Sequence, residues 1–220
     1  MKTYFITGTD TDVGKTVATA YLYRYFEEQG LKVAVMKPVL SGWLPEVNDI
    51  AIVKKWSKNN SILPLEDEWQ CPYQLELPAS PHLAAAEENV EISTEKLLDV
   101  KKKIIEKYQP DVLLIEGAGG LYVPLRKDYF IVDLIKDCQA EAILVTRPSL
   151  GTINHTGLSL AYMKAKGIPL KGLIVNNVPN DRDVILEENL RMLEEMSEGK
   201  FLGVIPEGSY SYREGYLKGL

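Results

Sequence analysis

Apolar residues fall along this chain in short dense runs, separated by longer stretches in which they recur at helical spacing. The dense runs are Tyr4 to Thr7, Val33 to Met36, Val112 to Ile115, Ala142 to Thr146, Leu173 to Asn176 and Phe201 to Ile205, and their Val and Ile content predicts strands. Between them the pattern predicts helices at Thr16 to Gln29, Asp49 to Ser57, Thr94 to Tyr108, Ile131 to Asp137, His155 to Lys166 and Arg182 to Met196. Gly30, Gly167 and Gly199 fall where helix C-caps belong. Strands that are apolar throughout suit burial on both faces, so the alternation reads as βαβ units in a doubly wound α/β fold: a mainly parallel sheet flanked by helices.

The stretch from Asn59 to Ser93 breaks this rhythm, with Pro64, Pro72, Pro78 and Pro81 among scattered aromatics and carboxylates. It reads as an irregular insertion at about 59–93, equally suited to active-site cover or to a surface excursion. There is no internal repeat and no interdomain linker, and 220 residues fit a single domain.

Apolar residues at 45% and charged residues at 25% are ordinary for a globular protein and argue against disorder. The net charge of -6 disfavours nucleic acid and favours a small-molecule substrate. No apolar run approaches the roughly 20 residues of a membrane span, and the N-terminal MKTYFITGTD has too short an apolar core for a secretory signal, so the expected location is the cytoplasm, with no membrane partner. Cys71 and Cys138 form no CxxC pair and are expected to be packing residues, without zinc. His82 and His155 are too far apart in sequence to suggest a metal pair.

The strongest chemical signal is Gly8-Thr9-Asp10-Thr11-Asp12-Val13-Gly14-Lys15-Thr16, between an apolar strand and a predicted helix. This is the setting of a phosphate-binding P-loop. Backbone N–H groups from Asp12 to Val17 and the helix N-terminus would cradle phosphate oxygens, Lys15 would reach the β and γ phosphates, and Thr16 would hold Mg²⁺. Five residues, not four, separate Gly8 from Gly14, so Thr9 occupies the place of the usual first glycine.

Further candidates follow other strands, at the sheet edge where ligands bind in open parallel folds. Lys37-Pro38-Val39-Leu40-Ser41-Gly42 presents a second lysine and a hydroxyl. Glu116, ahead of Gly117-Ala118-Gly119-Gly120, stands where a Walker-B acid stands and would share Mg²⁺ with Asp49. The glycines would let backbone amides approach a ligand, or form an unrelated tight turn. Leu150 to Thr156 opens a helix whose N-terminus suits a substrate carboxylate, and Asn176 and Asn177 carry amides that suit an adenine edge.

In this order these motifs, with Ser80-Pro81-His82-Leu83-Ala84-Ala85 and Gly151-Thr152-Ile153-Asn154-His155, resemble the dethiobiotin synthetase family from Tyr4 to about Pro206. The five-residue spacing in the phosphate loop is that family's habit. The resemblance implies a homodimer that uses ATP, Mg²⁺ and CO2 to close a ureido ring on the diamine 7,8-diaminopelargonate. It implies that Thr11, Lys15, Lys37 and Ser41 surround the diamine, its carbamate and the transferred phosphate, with the Ser80-Pro81 turn nearby. It implies Thr16, Asp49 and Glu116 at magnesium, Gly151 and Asn154 at the substrate carboxylate across the dimer interface, and Asn176 and the Pro206 loop at the adenine. Asp12 stands where the family often has glutamate, and after Pro206 the match fades.

The rival reading from another class is a ParA- or MinD-like ATPase switch acting on protein partners. Its signature lysine, five positions before the Walker lysine, is Asp10 here, and there is no basic amphipathic C-terminal helix. An amidating ligase of the same superfamily would need a glutaminase domain, for which no length remains.

Overall fold

The computed structural model describes residues 1–44, 48–58, 67–181, 183–209 and 211–220. Six strands, β1 (Lys2–Gly8), β2 (Val33–Met36), β5 (Val112–Gly120), β8 (Glu141–Thr146), β9 (Leu170–Val178) and β10 (Phe201–Pro206), form one sheet in the order β10-β9-β8-β1-β5-β2. Every pairing in it is parallel. Successive side chains of a strand point to opposite faces, and here both faces are covered. Phe5, Leu113, Ile115 and Leu144 join one core, while Tyr4, Ile6, Leu114 and Ile143 join the other. That is why the strands read as unbroken apolar runs.

The second core is closed by α1 (Lys15–Glu28), α2 (Asp49–Trp56) and the tail through Leu217. The first is closed by α5 (Thr94–Tyr108), α6 (Ile131–Asp137), α7 (Thr152–Lys166) and α8 (Val184–Met196). In α5 the buried residues Leu97, Val100 and Ile104 recur at helical spacing, Ser93 caps the N-terminus by accepting from the Lys96 N–H, and Gln109 ends the helix in a left-handed conformation. The bounds of α5 and α6 are those the pattern predicts.

Two expectations need correction. The 59–93 segment is not irregular throughout: it contains α3 (Asp67–Gln70), β4 (Tyr73–Leu75) and α4 (Pro81–Glu87), and β4 pairs in parallel with β3 (Val39–Ser41). Pro81 occupies the first turn of α4, where a missing N–H costs nothing, so it starts a helix instead of breaking one. Residues 59–66, with Pro64, lie outside the described residues, as does Arg182 at the expected start of α8. The other correction concerns α7, which begins at Thr152, three residues before His155, because Gly151 takes a left-handed φ of 92° as N-cap. β6 (Pro124–Arg126) and β7 (Tyr129–Phe130) make a small antiparallel pair beyond β5.

Candidate active site

The loop from Thr9 to Gly14 closes tightly between β1 and α1. A Cβ on Gly8 would stand 2.7 Å from Val13 Cγ2 and 2.8 Å from the Asp10 carbonyl oxygen. Gly14 has a φ of 90°, and a Cβ there would stand 1.8 Å from Asn176 Nδ2. No side chain caps α1, so its first N–H groups are left for an anion. Thr9, in the place of the usual first glycine, donates its N–H to the Val145 carbonyl at 3.0 Å and sets its hydroxyl 3.1 Å from that of Thr146. A threonine at that place thus stitches the loop to β8.

Strand register assembles the charged centre. Met36 pairs with Ile115, which brings the next residues, Lys37 and Glu116, side by side. Lys37 Nζ donates to Glu116 Oε1 at 2.8 Å and to the Gly117 carbonyl at 3.2 Å, and lies 2.6 Å from Asp49 Oδ2. The Thr16 hydroxyl lies 2.8 Å from both Asp49 Oδ1 and Glu116 Oε1. Lys15 folds back to donate to the Asp10 carbonyl at 3.0 Å. Lys15, Lys37 and Glu116 are 7%, 5% and 1% exposed, so these charges are desolvated and their balance matters. The two lysines offset the two carboxylates.

Burial pushes the Lys15 pKa below its ordinary value, and the neighbouring Lys37 charge adds to this, against the pull of Glu116 and Asp49. Burial alone would lower Lys37 too, but Glu116 and Asp49 override it and hold the ammonium charged, with its pKa raised. Burial likewise opposes ionisation of Asp49, and Lys37 and the Thr16 hydroxyl reverse that, leaving its pKa depressed.

A cavity of about 470 Å³ opens over this centre. Thr11, Asp12, Gly14, Lys15, Thr16, Lys37, Ser41, Asp49, Glu116, Ala118 and Gly119 line it, so most of the expected residues meet in one place. Val39, Leu40, Gly42 and Asn48 line it as well. Asn48 carries a sequence signal, as a residue of N-cap type before a helix, and its Oδ1 accepts from the Ala51 N–H at 2.9 Å. Ser80 and Pro81 sit at the start of α4, beyond Pro78, which lies 3.1 Å from where a Cβ on Gly42 would be. Gly151 and Asn154 occupy the start of α7, outside this cavity.

Asn176 is buried and donates its amide to the Val13 carbonyl at 3.2 Å, buttressing the phosphate loop. Asn177 is exposed and lines a neighbouring cavity with Asp12, Val13 and Arg147, while Pro206 ends β10. The glycines after Glu116 serve packing first. A Cβ on Gly117 would stand 2.8 Å from Phe5 Cε1, and one on Gly120 would stand 3.2 Å from the Gly8 carbonyl oxygen. Cys71 and Cys138 are buried and free, as packing residues are.

The donor set suits Mg²⁺. This cation takes hard oxygen ligands and, when it travels with phosphates, needs only one or two protein carboxylates. The Thr16 hydroxyl stands within hydrogen-bond distance of both the Asp49 and the Glu116 carboxylate. Among the described residues no group of three or more His, Cys, Asp or Glu forms an alternative metal cage.

An all-parallel sheet with a phosphate loop at an inner strand, two buried lysines and two carboxylates defines a P-loop nucleotide-binding protein. In agreement, a family described as an AAA domain matches residues 2–214. The chain is 41% identical to the ATP-dependent dethiobiotin synthetase of Thermodesulfovibrio yellowstonii, with 92% of this chain and 88% of that protein covered. It is 39% identical to the enzyme of the same name from Methanococcus vannielii, with 91% and 92% covered. The chain belongs to the ATP-dependent dethiobiotin synthetase family. Among solved structures, the MinD cell division protein of Aquifex aeolicus superposes with a TM-score of 0.59 at 15% identity, over 95% of this chain and 84% of that one. That likeness is one of fold and does not favour a partner-driven switch.

Proposed function

We propose that this protein is an ATP- and Mg²⁺-dependent ligase that joins CO2 to the two amines of 7,8-diaminopelargonate, closing the ureido ring of dethiobiotin and releasing ADP and phosphate. Membership of the family supports this reading, and one observation carries it: Lys37 meets Asp49 and Glu116 in the cavity that Lys15 and Thr16 of the phosphate loop also line.

No protein nucleophile is needed. One amine takes up CO2, the carbamate oxygen attacks the γ-phosphoryl group, and the second amine displaces phosphate, so the residues work by placement and charge. Magnesium, held by Thr16, Asp49 and Glu116, would offset phosphate charge. Lys15 binds the β and γ phosphates from the loop. Lys37 faces the γ-phosphoryl and carbamate oxygens from the other side, and Thr11 and Ser41 hold the diamine. The Ser80-Pro81 turn lies near the substrate. Asn176, which also buttresses the phosphate loop, Asn177 and the Pro206 loop border the adenine.

The acceptor's tail carboxylate meets the N-terminus of α7, at Gly151 and Asn154, across the interface of a homodimer. Exposed Leu150 precedes that helix, and exposed Leu158 and Tyr122 line a cavity along its middle, which supports an interface on this side. No helix among the described residues is long and apolar enough to cross a membrane, and we place the enzyme in the cytoplasm, where its ATP is.

The test is product analysis by mass spectrometry after incubation with the diamine, labelled bicarbonate, ATP and Mg²⁺. Label in a ureido product with one phosphate released per label supports the reading. ATP hydrolysis without label uptake overturns it.

A further inference from the structure

Beside the charged centre the structure holds a set of threonine hydroxyls gathered on one atom. Thr146 Oγ1, at the end of β8, lies 3.1 Å from the Thr9 hydroxyl and 3.0 Å from that of Thr152, and accepts from Thr156 at 3.1 Å. Thr146 and Thr156 are fully buried and Thr152 nearly so. Thr9 stands in the phosphate loop in the place of the usual first glycine, while Thr152 and Thr156 belong to the first two turns of α7. One side chain therefore joins the phosphate loop to the N-terminus of α7. An exposed ion pair, Arg147 to Asp10 at 3.2 Å, runs alongside it.

A hydroxyl has one proton and accepts through two lone pairs. Since Thr156 donates to Thr146, the Thr146 proton goes to either Thr9 or Thr152, and the remaining neighbour must donate to Thr146. The chain thus has a direction, and a change of hydrogen bonding at Thr9 is passed to Thr152. At Thr146, Thr152 and Thr156 the network is buried, so a hydrogen bond lost there is not made up by water.

We propose that Thr146 is a positioning residue that couples nucleotide binding on the phosphate loop to the order of the α7 N-terminus, and through it to acceptor binding. The acceptor half of this rests on the function proposed above. The loop half stands on the geometry alone.

The test compares the wild type with Thr146→Val, which keeps the shape and removes the hydroxyl, and with Thr146→Ser, which keeps the hydroxyl. Amide hydrogen exchange in the first turn of α7 is followed with and without Mg²⁺ and a non-hydrolysable ATP analogue. The diamine's Kd is measured by calorimetry under the same two conditions, and unfolding midpoints confirm the native fold. We expect the analogue to slow exchange at α7 and to tighten diamine binding by about fivefold or more in the wild type and the Ser variant, with both effects absent in the Val variant. A folded Val variant that keeps both effects overturns the coupling, as does a Ser variant that loses them equally. If the wild type binds no diamine, the proposed function fails, and the exchange readout alone then decides whether Thr146 links loop and helix.

Discussion

Lys37 and Glu116 are neighbours by strand register: β2 and β5 run parallel with Met36 opposite Ile115, and the next residue of each strand carries one half of a buried ion pair, 2.8 Å apart. The pair stands at the carboxyl edge of the sheet, beside the phosphate loop. On the role proposed for Lys37, Lys37→Ala removes a charge that serves the transferred group more than the rest of the nucleotide. Turnover is expected to fall by about 10²–10³-fold, while the affinity for an ATP analogue measured by calorimetry stays within a few-fold of wild type. An unchanged kcat would refute the role.

The same pair predicts a folding phenotype. The ammonium of Lys37 supplies the positive charge that Asp49 and Glu116 require. Lys37→Met leaves the buried Glu116 and the partly buried Asp49 without their cation, and urea unfolding in metal-free buffer should show a loss of about 3 kcal/mol. Added Mg²⁺ should restore part of it in the variant and change the wild type little. Equal responses to Mg²⁺ would argue that the carboxylates do not form the metal site.

Gly14→Ala should abolish nucleotide binding. The position has a φ of 90°, and the added methyl would stand 1.8 Å from Asn176 Nδ2, so either the loop opens or the amide leaves the Val13 carbonyl. Asn176→Ala, which removes only the buttress, should weaken nucleotide binding less. Calorimetric titration of both variants orders the effects, and a Gly14→Ala protein that binds as wild type would contradict the geometry.

Most of the framework was legible because the pattern reports burial. Strands covered on both faces read as unbroken apolar runs, and α5 shows its stripe and caps openly. The three-residue strands β3 and β4 are too short to show any period, and Pro78 and Pro81 disguised the start of α4 as irregular chain. Gly151 and Thr152, weak helix formers, hid the first turn of α7, whose start depends on a left-handed glycine. At the site, residue types marked Lys15, Lys37, Asp49 and Glu116, but who touches whom depends on register. The amide of Asn176 advertised hydrogen bonding without saying that the phosphate loop receives it.

Acid should act through Asp49. Its folded pKa lies below the ordinary carboxylate value, so its contribution to stability is present above that ordinary value and is lost as pH falls through the depressed folded one. Urea midpoints taken without metal or nucleotide should therefore decline on the acid side, and Asp49→Asn should flatten part of that decline. A variant with the same pH slope as wild type would assign the loss to other carboxylates.

The cysteines give an independent check on the fold. Burial pushes the thiols of Cys71 and Cys138 up to about 12, so neither is a thiolate near pH 8. A disulfide reagent should leave the native protein unmodified at that pH and label both thiols after unfolding. Rapid labelling of the native state would contradict the packing around β8 and β4.

The most direct test of the account is a crystal structure with Mg²⁺, a non-hydrolysable ATP analogue and the diamine. The account predicts that Lys37 Nζ turns from Glu116 to within hydrogen-bond distance of the γ-phosphoryl oxygens, with Lys15 on the opposite side and an amine of the acceptor beside them. A complex in which Lys37 stays paired with Glu116 and Asp49, with no phosphoryl oxygen between the two lysines, would contradict it.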